Sequence, residues 1–358
     1  MFTPSPNRAA NGDRSVWLSS SIGSVRTQNQ DRVAHLVMRD KETPARDFRV
    51  AVLSDGMGGM AQGDVAATIT VSAFLTRLLR TTRLSPRERL EGAANYANEA
   101  VFSALNLTGG ATLSAVLIDR SGKHFGVNVG DSRIYGISRS KELFQVSTDD
   151  TIAGYLGAGA NGGRVSGELV QFIGMEQGSL EPHVIELQSG RFDYALLTTD
   201  GLHGTDIETM KKITSRCQAL DRELLSKLTS LSNLLGGRDN ASGVVLNLNQ
   251  DFGTEPIEGR EVTVFSVSEN LNIWITKSGG ERSDREQLGA ASERPRKVEE
   301  EGHAPVPKAP AGQSRQSKPA RKSKRSKKGV PPQDASLPLE PPTKPILNVE
   351  FPPRDNDK

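Results

Sequence analysis

Cysteine is almost missing from this chain: among 358 residues only Cys217 carries a thiol, which rules out an internal disulfide. A lone cysteine suits a reducing compartment, and its plain role is that of a small buried hydrophobe on a helix. Histidine is scarce too. His35, His124, His183, His203 and His303 are the whole set, and none shows the i, i+4 helical spacing of a zinc enzyme. Long hydrophobic runs are missing as well: none approaches the ~18 apolar residues of a membrane helix, and the first thirty residues lack the apolar stretch of a secretion signal. The expectation is a cytoplasmic protein with no membrane span. Net charge is only +2, and no Gly-x-Ser-x-Gly elbow or plausible serine triad is found.

What the chain does have is aspartate beside glycine or asparagine, in four segments spread over more than 200 residues: Arg26-Thr-Gln-Asn-Gln-Asp31, Asp55-Gly-Met-Gly-Gly59, Thr199-Asp-Gly-Leu202 and Arg238-Asp-Asn240. Hard cations such as Mg²⁺ and Mn²⁺ take carboxylate, carbonyl and water oxygens. Asp55 ends the apolar run 48–54, whose length and β-branched content suit a buried strand, so a carboxylate stands at a strand end. Gly56, Gly58 and Gly59 then let a main-chain carbonyl approach beside it. The run 194–199 delivers Asp200 in the same way, whereas Asp239 precedes the strand-like 241–248. Asp-Gly and Asp-Asn are also ordinary turn dipeptides. Several aspartates at one place suit a metal pair that binds a phosphoryl group and ionises a water.

Six segments, in order from about Ser19 to Asn249, resemble the PPM, or PP2C-like, metal-dependent serine/threonine protein phosphatases of bacterial type. They are Ser21-Ile-Gly-Ser-Val-Arg-Thr-Gln-Asn-Gln-Asp31, Leu53-Ser-Asp-Gly-Met-Gly-Gly59, Gly109-Gly-Ala-Thr-Leu-Ser-Ala115, Val129-Gly-Asp-Ser-Arg-Ile-Tyr135, Leu197-Thr-Thr-Asp-Gly-Leu202 and Arg238-Asp-Asn-Ala-Ser242. The resemblance implies two Mn²⁺ or Mg²⁺ ions bridged by Asp55, with the Gly56 carbonyl, Asp200 and Asp239 as further ligands. Asp31 would hold a metal-bound water. Arg26 would grip the substrate phosphate, a task suited to a planar guanidinium fork; its plain alternative is a surface salt bridge. Asp131 resembles a ligand for a third ion, or is a turn residue supporting the strand at Arg133.

Three positions depart from the family pattern. Gln30 stands where many members have Glu, Asp150 replaces a histidine, and Met57 leaves no histidine beside the metals to protonate the leaving alkoxide. The glycine-rich stretch 151–177 falls where the family's substrate-facing flap lies. His203 reads as a helix-entry or supporting residue rather than a catalyst.

Around the motifs, Ala67, Val71, Phe74, Leu75 and Leu78 form a helical stripe, Ser85-Pro86 with Glu88 resembles a capping box, and Leu224, Leu228, Leu231 and Leu235 form a late stripe ended by Gly236-Gly237. Strands are predicted over 111–118, 124–129, 133–137, 184–187 and 241–248. Helices set apart from runs of strands indicate α+β layering. The resemblance makes this a four-layer α-β-β-α sandwich. The expected organisation is an N-terminal extension 1–18, a phosphatase domain 19–250, a hairpin 251–276 turning near Glu269-Asn270, and a disordered Pro-rich, basic tail 277–358. Within that tail, 318–328 carries seven positive charges and no acid, a candidate for nonspecific binding to an anionic partner, or a solvated linker. The apolar island 345–351 is a candidate binding motif.

Three functions follow. The preferred one is hydrolysis of phosphoserine and phosphothreonine in proteins by a metal-bridging hydroxide, opposing a protein kinase. The others are a pseudophosphatase that binds phosphoproteins without turnover, and a scaffold acting through its basic tail.

Overall fold

Near-continuous apolar strands, rather than alternating ones, are what a sheet covered on both faces demands. β3 (Phe48–Ser54) and β4 (Leu113–Asp119) show why. Val50, Val52, Ala115 and Leu117 pack into one core, while Ala51, Leu53, Val116 and Ile118 point the other way into a second. Both sets are buried. The computed structural model describes residues 15–156, 168–204, 206–250, 252 and 257–267.

Two antiparallel sheets result. The first runs in the order β1 (Val16–Ser21), β10 (Ala241–Asn247), β9 (Tyr194–Thr198), β6 (Arg133–Ile137), β7 (Leu143–Gln145). The second runs β11 (Arg260–Ser266), β2 (Arg32–Asp40), β3, β4, β5 (His124–Val129), β8 (His183–Leu187). Val16, Leu18, Leu197, Val244 and Leu246 from the first sheet meet Val33, Leu53 and Val116 from the second. The helices α1 (Gly63–Arg80) and α2 (Pro86–Leu105) cover the second sheet through Phe74, Leu78, Leu90 and Val101, and a short α3 (Ile152–Leu156) follows β7 in the chain. A third core joins the first sheet to α4 (Asp200–His203), α5 (Ile207–Arg216) and α6 (Arg222–Leu234) through Leu196, Val245, Met210 and Leu225. This is the four-layer α-β-β-α sandwich.

The capping box is formed: Ser85 accepts from the Glu88 N–H, and the Glu88 carboxylate accepts from the Ser85 N–H at 3.0 Å. Among the described residues no helix is long and apolar enough to cross a membrane. β1 starts at Val16, inside the expected N-terminal extension. Of the hairpin, the first arm is β11, paired antiparallel with β2; the turn at Glu269-Asn270 and the second arm lie outside the described residues. So do the tail 277–358, its basic run and its apolar island. Leu235 leaves the predicted stripe: it is the residue after α6 and is 61% exposed, whereas Leu224 and Leu228 are buried. Cys217 is buried, at the C-cap of α5.

Leu117 is fully buried between β4 and the helices that cover it. Leu117→Ala should lower the unfolding free energy by about 3 kcal/mol, read from a urea titration; a loss below about 1 kcal/mol would show that this interface is not close-packed.

Candidate metal centre

Each expected aspartate sits where a strand or turn ends, and polar contacts from a neighbouring element fix it there. Asp55 follows β3. Its N–H donates to Thr112 Oγ1 at 3.0 Å, and its carbonyl accepts from the Thr112 N–H at 2.8 Å. Thr112 Oγ1 in turn lies 2.7 Å from Ser132 Oγ, which joins this strand end to the turn that carries Asp131. A Cβ on Gly56 would fall 2.3 Å from the Gly63 carbonyl oxygen, so only glycine lets this loop press against the start of α1.

Asp31, just ahead of β2, is wholly buried. Its Oδ2 accepts from Thr199 Oγ1 at 3.2 Å, while its Oδ1 has no hydrogen-bond partner. Thr199 also joins β9 to β10, donating N–H to the Ser242 carbonyl and accepting from the Ser242 N–H through Oγ1, each at 3.0 Å. Asp200 follows as the first residue of α4. Gly201 lies inside that short helix, because the Thr199 carbonyl accepts from both Leu202 and His203 N–H. A Cβ on Gly201 would stand 2.0 Å from the Asn240 carbonyl oxygen, so the Asp200 and Asp239 segments meet backbone to backbone.

Asn240 has no role that the sequence motif assigns, and the structure makes it an organiser. Its Oδ1 accepts from the Gln30 N–H at 2.8 Å, and its Nδ2 donates to the carbonyls of Ile22 and Gln28 at 3.0 and 3.1 Å. One amide therefore ties the loop carrying Arg26 and Asp31 at three points, Ile22, Gln28 and Gln30. Nothing in the sequence but the Asp-Asn pairing hinted at this, since the contacts span more than 200 residues.

Arg26 Nη2 donates to Asp239 Oδ2 at 2.6 Å, and its guanidinium lies over Gly58, where a Cβ would meet Nη1 at 2.7 Å. The carboxylates feel one another strongly. Burial and then the charges of Asp31, Asp200, Asp131 and Asp239 hold Asp55 well above the usual carboxylate range. Burial, with Asp200 opposing ionisation too, pushes Asp31 up to about 7, and the same two causes push Asp131 up to about 6. Asp200 has an edge open to solvent, yet lost hydration and the Asp239 charge raise it as well. Asp31, Asp131, Asp200 and Asp239 thus lie near enough to Asp55 for their charges to act on it, and Arg26 feels Asp55, Asp200 and Asp239 in turn.

This donor set fits a hard divalent cation. It offers only oxygen, it carries unbalanced negative charge, and it holds a buried carboxylate oxygen with nothing to bind. Among the described residues no three His, Cys, Asp or Glu side chains close directly on a single ion. Asp239 is drawn to Arg26, and unneutralised carboxylates repel one another. Main-chain carbonyls and water make up much of the coordination of such ions, so fewer than three carboxylates per ion suffice.

Asp150 is buried in a network of its own. It accepts from the Gly130 N–H at 2.9 Å and lies 2.8 Å from His183 Nε2, with Gln171 at 3.3 Å. It therefore supports the turn before Asp131 and ties it to Gln171 of the glycine-rich stretch, of which 157–167 lie outside the described residues. Arg133 pairs with Asp149, its Nε donating to both carboxylate oxygens at 2.9 Å.

His203 is buried with Nδ1 2.8 Å from Thr198 Oγ1, a supporting position in α4. Burial, and then the Arg133 charge, push it down to about 3. An unfolded histidine titrates near 6.5, so from about pH 6.5 down to about 3 the unfolded chain binds a proton that the folded chain refuses. Stability falls as the pH drops through that window. His203→Gln should remove up to about 1.4 kcal/mol per pH unit of this slope, read as urea midpoints of both proteins between about pH 4 and 6.5; parallel profiles would contradict a neutral buried imidazole. Asn240→Ala should cost about 2 to 3 kcal/mol and lower turnover at least tenfold, checked by calorimetry and assay on one preparation.

The family model described as Protein phosphatase 2C matches residues 24–235. The chain is 28% identical over 261 residues to the protein phosphatase PhpP of Streptococcus pneumoniae, covering 66% of this chain and 98% of that one. It is 29% identical over 262 residues to the serine/threonine protein phosphatase PstP of Mycobacterium tuberculosis, covering 66% of this chain and 46% of the relative. Among solved structures it is similar to the PPM Ser-Thr phosphatase MsPP of Mycobacterium smegmatis in complex with cacodylate, with TM-score 0.54 and 25% identity over 66% of this chain and 99% of that one. The M. tuberculosis phosphatase PstP/Ppp gives TM-score 0.52 and 28% identity over 66% and 98%. Strand-end aspartates, the four-layer frame and these likenesses agree: the chain belongs to the protein phosphatase 2C family and is a serine/threonine protein phosphatase of that type.

Proposed function

We propose that Asp55, Asp200, Asp239 and the Gly56 carbonyl hold two Mn²⁺ or Mg²⁺ ions, with Asp31 behind them and Asp131 at a third position. The observation that carries this reading is the group of raised carboxylates, Asp31, Asp55, Asp131 and Asp200, whose mutual repulsion Arg26 and Arg133 offset only in part. When bound, the ions supply Lewis acidity and ionise a water, so that hydroxide attack on phosphorus needs no protein nucleophile.

The chain's own residues do the rest. Arg26 points its fork at the carboxylate edge and is partly exposed, so it can exchange Asp239 for the oxygens of a phosphoryl group. Asp31, buried beside Thr199, keeps an oxygen ready to accept a hydrogen bond from a water. Among the described residues we assign no histidine the part of proton donor. His203 is held neutral and occupied by Thr198, so the leaving alkoxide takes its proton from water. Phosphoserine and phosphothreonine in proteins are the substrates that fit, and a protein kinase must supply them. Asp55 and Asp239 are both in place, and nothing in the site favours a pseudophosphatase.

The test is hydrolysis of p-nitrophenyl phosphate and a phosphothreonine peptide with Mn²⁺, Mg²⁺ or EDTA. Turnover should need the metal, fall at least about a thousandfold in Asp55→Asn, and show a KM raised about tenfold in Arg26→Ala. Wild-type protein that folds and binds the phosphopeptide but does not turn it over would return the chain to the binding-module reading.

A further inference from the structure

A cleft of about 230 Å³ is lined by Asp200 and Asp239 of the carboxylate cluster. Leu235 and Arg238 line it too, together with Gly201 and Gly204. Ser232 Oγ donates to the Gly201 carbonyl at 2.7 Å and fastens α6 to that lining.

The rim is apolar where a surface has no structural need of it. Leu234 is 84% exposed, Leu235 61%, Val25 64% and Ile22 41%. These residues belong to one surface, because the N–H groups of Ser24 and Val25 both donate to the Gly237 carbonyl, at 2.7 and 3.2 Å. Single exposed apolar residues are ordinary, but a contiguous group at the mouth of a reactive cleft marks a binding surface. The cations add a second, independent feature. Arg26 is engaged by Asp239, whereas Arg238 is exposed and makes no hydrogen bond or ion pair with any described residue.

Resting on the phosphatase reading above, we propose that this cleft seats the residues flanking the phosphorylated side chain and selects phosphopeptides with an aliphatic neighbour and an acidic neighbour. The aliphatic side chain lies against Leu235 and the Leu234–Val25 rim. The acidic one meets Arg238, the exposed cation of the lining. A substrate too small to leave the carboxylate cluster reaches neither.

The experiment uses the full chain with Mn²⁺ and two phosphothreonine peptides, identical except that Leu and Asp flank the phosphothreonine in one, Ser and Lys in the other. The reading is the ratio of their kcat/KM values within each enzyme, so a general loss of activity cancels. Both substitutions are at exposed positions and leave the cores intact. Wild type should favour the Leu/Asp peptide about tenfold, Arg238→Glu should bring the ratio to about one or below, and Leu235→Ser should reduce it about threefold through KM. Equal values for both peptides in wild type, or a ratio unmoved by either substitution, would overturn the subsite while p-nitrophenyl phosphate hydrolysis leaves the phosphatase reading standing. Metal-loaded wild type that hydrolyses none of the three substrates would overturn both.

Discussion

Mutual repulsion among aspartates is the constraint around which this molecule is organised. Carboxylates cost free energy to bury and more to bury together, and here Asp31, Asp131, Asp200 and Asp239 all raise the energy of ionising Asp55. A fold that tolerates this arrangement has to hold each group in place by other means. It does so with hydroxyl and amide side chains: Thr112 for Asp55, Thr199 for Asp31, Asn240 for the loop bearing Arg26. Proton sharing and Arg26 relieve part of the charge; divalent cations would relieve most of it.

The sandwich makes such clamping possible. Both sheets are buried on both faces, so their strands are fixed by packing across three cores and cannot slide to relax the cluster. Strand ends from each sheet then converge at one edge, Asp55 from one and Asp200 and Asp239 from the other. The rigid part of the protein thus carries the charge, and the turn after α6 borders it.

Much of this was legible in the sequence because it rests on local patterns. The runs of β3, β5, β6 and β9 could be bounded almost to the residue, since apolar continuity ends sharply at Asp55, Gly130 and Asp200. The Ser85–Glu88 box announced α2. The resemblance placed all the aspartates in one site. What escaped was decided by tertiary contact. β1 and β2 mix serine, arginine and histidine among their apolar residues, and only the facing sheet and helices explain why Ser19, Arg32 and His35 are buried. α5 keeps few apolar residues, Met210 chief among them, so its stripe is too thin to read. Leu235 continues a helical period past the point where Gly236 and Gly237 end the helix, and periodicity alone could not tell a core leucine from a rim one. The Asp150–His183 pair joins positions 33 residues apart that no local rule connects.

The contact between Gly201 and the Asn240 carbonyl has a consequence for how this site can change. Because main chain touches main chain there, the separation of the Asp200 and Asp239 segments is a property of the backbone, and no choice of rotamer or side-chain length adjusts it. Substitution can alter the charge or the rim of this centre without altering its span. Inserting or deleting one residue between Gly236 and Asn240 would instead shift that span directly, so the length of this short turn, more than its composition, sets how far apart the two aspartate-bearing segments stand.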